Sequence, residues 1–423
     1  MQLGMRFRLS FMMFLEYFIW GAWYVTLGTW LGQSLHFSGE QIGWAAGTTA
    51  LGAIVSPFLV GLMADELFST EYLLAALHGI GGALLWFAST RTSFGQMYVV
   101  LLVYSLCYMP TMALTNSLSF RQMKDPRQEF GAIRVLGTLG WIVAGLALTA
   151  LGGIIAVKVE PTAIPIQMAS IASITMAVYC LTLPHTPPLR SAHGGFRLSN
   201  IFPAEAFSLF KDRAFTIFAI ASFLICIPLQ FYYAFTNPFL NEVGVKNAVG
   251  KMTMGQMSEL AFMVTLPWFF KRLGVKRTLI LGMLAWVVRY ILFGYGNSGA
   301  LVWMLYVGIA MHGICYDFFF VTGQIYVDRK APAALRAAAQ GLITFITYGV
   351  GMFVGSFICG PVVDRYKRVL ADGTIGHDWR SIWLVPAIGS ALVLLFFLLG
   401  FREKEGTEEP AMAGEARVTA QGD

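Results

Sequence analysis

The chain is poor in charge. Only 12% of its 423 residues are Asp, Glu, Lys or Arg, against roughly 25% in ordinary soluble domains. With 57% of residues hydrophobic and a mean hydropathy of +0.65, the chain cannot dress a core in solvated surface, which excludes a soluble globular protein. The formal net charge of +6 would point to an acidic partner in a soluble chain. Here the placement of the basic residues carries the information, and no nucleic-acid partner is expected. Cysteine is scarce too. Cys107, Cys180, Cys226, Cys315 and Cys359 all fall in apolar stretches without paired spacing, which excludes a disulfide framework and leaves small buried hydrophobes. Also missing are HExxH, a phosphate-binding P-loop, a CxxC pair and GxSxG, so a metalloprotease, an ATP-driven pump and a serine hydrolase are excluded. No enzyme activity, metal or cofactor is expected. The glycines of Gly294-Tyr295-Gly296-Asn297-Ser298-Gly299 have dinucleotide-loop spacing but lie between two apolar runs, so they read as a turn.

What the chain does have is apolar runs. Twelve approach the spanning length of about 20 residues: 9–31, 41–63, 71–90, 97–120, 131–154, 165–184, 213–240, 252–270, 277–296, 300–326, 338–362 and 381–401. The first follows Arg6 and Arg8, is longer than a signal-peptide core and has no small-residue cleavage site, so it reads as an uncleaved helix. The longest polar interruption follows Pro184. It splits the chain into a six-helix unit over 1–184, a cytoplasmic linker over 185–212 and a second six-helix unit over 213–402. Residues 403–423, rich in Glu, Gly and Ala, read as a disordered cytoplasmic tail. With the N-terminus inside, nineteen Lys and Arg fall on the inner side and eight on the outer, four of those in the last outer connection. Both termini are therefore expected on the cytoplasmic side of the membrane. The fold class is all-α: a polytopic membrane protein of twelve transmembrane helices in two pseudo-symmetric bundles, surrounded by lipid and expected to act as a monomer.

Inside the spans a short list of polar residues stands out. A carboxylate at membrane depth costs about 2.5–3.5 kcal/mol on insertion scales, so it faces a cavity or a partner. Glu259 sits in the eighth run, three residues from Gln256 on one helical face. Its bland reading is a fixed interhelical ion pair. Its functional one is a site on a transport path. Arg134, Thr138 and Trp141 follow i, i+4, i+7 on the fifth run, Gln230 and Tyr233 share a face of the seventh, and His312, Tyr316 and Phe320 follow i, i+4, i+8 on the tenth. Such mixed polar and aromatic stripes fit the wall of a central wet cavity. Arg134 could pair with Glu16 of the first run or donate to substrate oxygens, and the second reading is favoured. Asp317 lies about 140° round an ideal helix from His312, so it need not face the cavity. An Asp317–Arg289 ion pair would let both be buried, with a structural or a coupling role. His78, beside Gly79, Gly81 and Gly82, reads as a residue of close helix packing.

Several segments carry a resemblance. Gly61-Leu62-Met63-Ala64-Asp65 is a degraded G-x-x-x-D-R-x-G-R loop, matched in the second half by the basic loop Lys271-Arg272-Leu273-Gly274-Val275-Lys276-Arg277. With Trp20-Gly21-Ala22-Trp23, Tyr108-Met109-Pro110-Thr111, Ile133-Arg134, Ser258-Glu259, Tyr316-Asp317-Phe318-Phe319 and Ala339-Gln340-Gly341, the chain resembles the bacterial nucleoside:proton symporters of the major facilitator superfamily over nearly its full length. The resemblance implies a secondary active importer of a bacterial inner membrane that rocks its halves about a nucleoside-sized site. It assigns ligand contact to Arg134, Thr138, Gln230, Gln256 and Glu259, with rings from Trp141 and Tyr316. Tyr233 and His312 are further candidates, at positions where the family has other side chains. Proton coupling falls to Glu259, with Asp317 and Glu16 as further carboxylates. Those departures, with Glu16 in place of an amide, keep open an importer of another polar metabolite: a sugar, a nucleoside derivative or a cell-wall fragment.

Overall fold

In hydrocarbon every backbone N–H and C=O must be satisfied within its own segment, and the apolar runs accordingly fold as helices. The computed structural model describes residues 2–63, 68–188, 204–369, 373 and 375–402. The acidic part of the degraded loop at Ala64 and Asp65, most of the linker and the tail from 403 lie outside the described residues. In the first half, α1 runs Leu3–Trp23, turns over 24–26 and resumes as Leu27–Gln33. It is followed by α2 (Gly39–Met63), α3 (Thr70–Ala88), α4 (Phe94–Arg121), α5 (Pro126–Ile155) and α6 (Ile164–Cys180). After a 3₁₀ turn at Ala204–Lys211 comes α7 (Arg213–Glu242), opened by the Asp212 carboxylate, which accepts the Phe215 N–H at 2.9 Å. The next stretch, Ala248–Tyr295, is helical except at Gly274 (φ 67°, ψ 177°). That left-handed backbone, open to glycine at little cost, divides it into α8 (248–273) and α9 (275–295). The chain ends with α10 (Val302–Lys330), α11 (Arg336–Arg365) and α12 (Trp379–Gly400).

Nine helical stretches among the described residues are long and apolar enough to cross a membrane. One of them is the α8–α9 double span; α1, interrupted at 24–26, and the 17-residue α6 complete the twelve expected segments. Two features were not expected. The α11–α12 connection holds an antiparallel hairpin of β1 (Lys367–Val369) and β2 (Ile375–His377). It explains why basic residues crowd this connection against the overall bias: Lys367 pairs with Asp364 at 2.5 Å, Arg368 with Asp378, and the Arg380 guanidinium lies 4.4 Å over the Tyr295 ring. The second feature is a wide, π-type turn in each of α10 (Tyr316–Val321) and α11 (Phe345–Gly351). Such turns insert a residue into the helical ladder and shift the faces beyond them.

Within the first half α1 packs on α5 and α3 on α6; within the second, α8 packs on α10 and α9 on α12. The halves meet along α2 against α11 and α5 against α8. Glycine permits both approaches. A Cβ on Gly43 would stand 2.5 Å from the Ser356 carbonyl of α11, and one on Gly145 would stand 2.6 Å from the Thr253 side chain of α8. At the end bearing the α1–α2, α5–α6, α7–α8 and α11–α12 connections the halves interlock. Thr29 Oγ1 donates to Asn237 Oδ1 at 2.5 Å, and Val249 N–H donates to Glu160 at 2.7 Å. Burial pushes the Glu160 carboxyl above its usual range, opposed by that N–H and by Lys158. At the other end, where α4 meets α5 and α10 meets α11, no comparable packing joins the halves among the described residues.

Candidate functional site

Between the halves lies a cavity of about 380 Å³, within the range of small-ligand sites, ~300–1,000 Å³. The first half contributes Tyr17, Trp20 and Tyr24 from α1, Thr49 and Ser56 from α2, Met109 and Met112 from α4, and Arg134, Thr138 and Trp141 from α5. The second contributes Tyr233 from α7, Gln256 and Glu259 from α8, His312 and Tyr316 from α10, and Thr344 and Tyr348 from α11. Eight of the nine ligand residues expected from sequence thus line one cavity, three from the first half and five from the second. Gln230 does not. It is 1% exposed and stands behind the wall, because one helical turn below Tyr233 the face of α7 is already packed against α11, where a Cβ on Gly355 would lie 2.8 Å from Gln230 Cβ.

Glu259 is held by close backbone approach. A Cβ at Gly313 would lie 2.6 Å from the Glu259 nitrogen, so only glycine lets α10 come this near, and Gly313 N–H donates to Ser258 Oγ at 2.9 Å. The carboxylate keeps 14% of its surface exposed and lies 4.0 Å from His312 Nε2. His312 stacks on Tyr232, with centroids 5.3 Å apart, and its Nδ1 lies 3.4 Å from Arg289 Nη1. Across the cavity the Arg134 guanidinium lies 4.1 Å over the Tyr17 ring. Among the described residues no carboxylate reaches ion-pair distance of it, so its charge is not neutralised by a fixed partner. Rings close the rest: Trp20 meets Trp141 edge-on at 5.4 Å, and the Tyr348 hydroxyl donates to that of Tyr316 at 2.9 Å. The arrangement offers a planar cation, an amide and a carboxylate on opposite sides of an aromatic box, which suits a flat polar ligand carrying hydroxyls.

Three sequence expectations need correction. Arg289 and Asp317 form no ion pair. Arg289 is buried with its guanidinium 3.4 Å over the Tyr232 ring, on the His312 side of α10, whereas Asp317 enters the wide turn at 316–321 on another face. Both Asp317 carboxylate oxygens are buried without a hydrogen-bond partner among the described residues. Glu16 is neither beside Arg134 nor in the cavity wall. It points into the first half, accepting from Thr111 Oγ1 at 2.7 Å and lying 3.0 Å from His78 Nε2. His78, read as a packing residue, is instead one side of this buried pair, with Ser173 Oγ 3.4 Å from its Nδ1. We expect Glu16→Ala to destabilise the detergent-solubilised protein by about 3 kcal/mol, since the substitution strands a buried partner. Glu16→Gln, which keeps an acceptor for Thr111, should lose less. A thermal melt of Glu16→Ala superimposing on the parent would remove the pair from the stability of the first half.

Sequence reasoning missed the α1 contribution and Tyr348. The signal was present, because Tyr17, Trp20 and Tyr24 follow i, i+3, i+7, the spacing of one helical face.

The family model described as nucleoside H+ symporter matches residues 3–406. The transporter YegT of Escherichia coli K12 is 42% identical over 404 residues, covering 94% of both chains. The xanthosine permease of the same organism is 33% identical over 417 residues, covering 95% of this chain and 97% of its own. The crystal structure of the nucleoside transporter NupG superposes with a TM-score of 0.84 at 30% identity, covering 95% of this chain and 100% of that one. The chain belongs to the nucleoside H+ symporter family.

Proposed function

We propose that the chain imports nucleosides together with protons across a bacterial inner membrane, both termini in the cytoplasm, by rocking its two halves about the central cavity. Family membership supports nucleoside:proton symport. The observation that carries the site reading is Glu259, a carboxylate partly open to a cavity between the halves, with Arg134 on the facing wall. In this reading Glu259 exchanges the proton and meets the ligand's hydroxyls, Arg134 and Gln256 bind its polar edge, and Trp141 and Tyr316 pack on its flat face. Asp317 serves as a second coupling carboxylate. The joined far end and unjoined near end correspond to a state open to the cytoplasm. The excess of basic residues on the near side supports that orientation.

Uptake of labelled uridine into proteoliposomes under an imposed proton gradient tests the reading. The expected result is saturable uptake that a protonophore abolishes and that other nucleosides inhibit. Absent uridine uptake, with a labelled sugar or cell-wall fragment accumulated instead, would transfer the site to the other ligand class. Uptake indifferent to the gradient would overturn coupling.

A further inference from the structure

The far end of the molecule carries two carboxylates in matching positions. Asp364, next to last in α11, reaches across to the first half and accepts the N–H groups of Gly39 at 2.7 Å and Glu40 at 2.8 Å, the first two residues of α2. Glu160, just beyond α5, reaches across the other way and accepts the Val249 N–H at 2.7 Å, in the first turn of α8. α2 and α8 are the second helices of their halves, and α5 and α11 are the fifth. Each half therefore caps the second helix of the other with an acid from the end of its own fifth helix. The first N–H groups of a helix have no partner within it, and the positive end of its dipole favours an anion. Among the described residues neither the Gly39 nor the Val249 N–H has an acceptor from its own half; Glu40 adds an acid to the first turn of α2 but accepts neither. The cationic neighbours are Lys367, 2.5 Å from Asp364, and Lys158 beside Glu160.

We propose that Asp364 and Glu160 form a paired latch that holds the far face of the transporter shut and sets the balance between its two open states. Both contacts cross the boundary between the halves, so they exist only while that face is closed; on opening, water replaces them. A contact made in one state and not the other biases the equilibrium by its own free energy. Loss of one helix cap shifts the ratio of open to closed about tenfold. The two caps share no partner, so their losses should multiply to about a hundredfold.

The inference rests on the rocking of halves proposed above, and the experiment separates the two. Spin labels at Ser93→Cys, in the exposed α3–α4 connection, and Ser298→Cys, in the exposed α9–α10 connection, report the width of the far face. Cys107→Ser silences the one native thiol that is not buried. In the parent, uridine or acid pH should change the distance distribution. Asp364→Ala and Glu160→Ala should each raise the ratio of long to short distances about tenfold without ligand, and the double variant more. A double variant whose distribution superimposes on a parent that does respond overturns the latch and leaves rocking in place. A parent that never responds overturns rocking and the latch with it. If the double variant fails to fold, the single variants decide on the same criterion.

Discussion

Glu259→Gln should abolish proton-driven accumulation while leaving nucleoside exchange measurable. The substitution keeps size, shape and hydrogen-bonding reach, and removes only the ability to hold and release a proton. For each proton carried per nucleoside, a pH gradient of one unit supports about a tenfold concentration ratio, ~1.4 kcal/mol. Glu259→Gln proteoliposomes should stop at equal concentrations inside and out. Counterflow needs only the site and the rocking step, so it should persist within a few-fold of the parent. The position of the residue makes this the larger of the expected effects: it is the acid that both lines the cavity and keeps part of its carboxylate open. Asp317 is fully buried and its oxygens have no hydrogen-bond partner among the described residues. Asp317→Asn is the comparison that assigns the proton. Parental accumulation in Glu259→Gln together with its loss in Asp317→Asn would move coupling from α8 to α10.

The helix count and eight of the cavity's lining residues were legible in the sequence because lipid imposes strong rules. A span must be long and apolar, and a polar residue within it must face something, so Glu259, Gln256, Arg134 and His312 announced themselves by cost. Pairings were not legible, for two physical reasons. Arg289 and Asp317 were matched as two buried charges on adjacent helices, but the Arg289 guanidinium packs over the Tyr232 ring and Asp317 enters the wide turn at Tyr316–Val321. Glu16 and His78 lie 62 residues apart on helices whose contact depends on the packing of the whole first half. The α1 face failed differently: Tyr17, Trp20 and Tyr24 have the right spacing, but aromatic residues are so common in this chain that spacing alone did not separate wall from packing. The hairpin between α11 and α12 left no periodic trace, being three residues a side.

Arg134 yields the second large expected effect. Its guanidinium is fixed by the Tyr17 ring beneath it and by close packing over Gly137, where an added Cβ would come within 2.9 Å of Arg134 Nη1. Stacking holds the plane of the fork, the geometry that favours bidentate recognition of ligand oxygens. Hydrogen bonds to a charged group contribute about 1.5–3 kcal/mol each, so Arg134→Ala should weaken nucleoside binding by roughly ten- to a hundredfold. Arg134→Lys should recover only part of this, because an ammonium keeps the charge but loses the fork and the stacked plane. Calorimetric titration of the solubilised variants with uridine reads the affinity, and counterflow at saturating uridine reads turnover separately. Because Arg134 belongs to the first half and Glu259 to the second, a ligand held by both is bound most tightly when the halves close around it. Removing Arg134 should therefore reduce turnover as well as affinity, since the ligand then gives the halves less reason to close. Unchanged affinity in Arg134→Ala would take the residue out of the site, and weakened affinity with full turnover would confine it to initial binding.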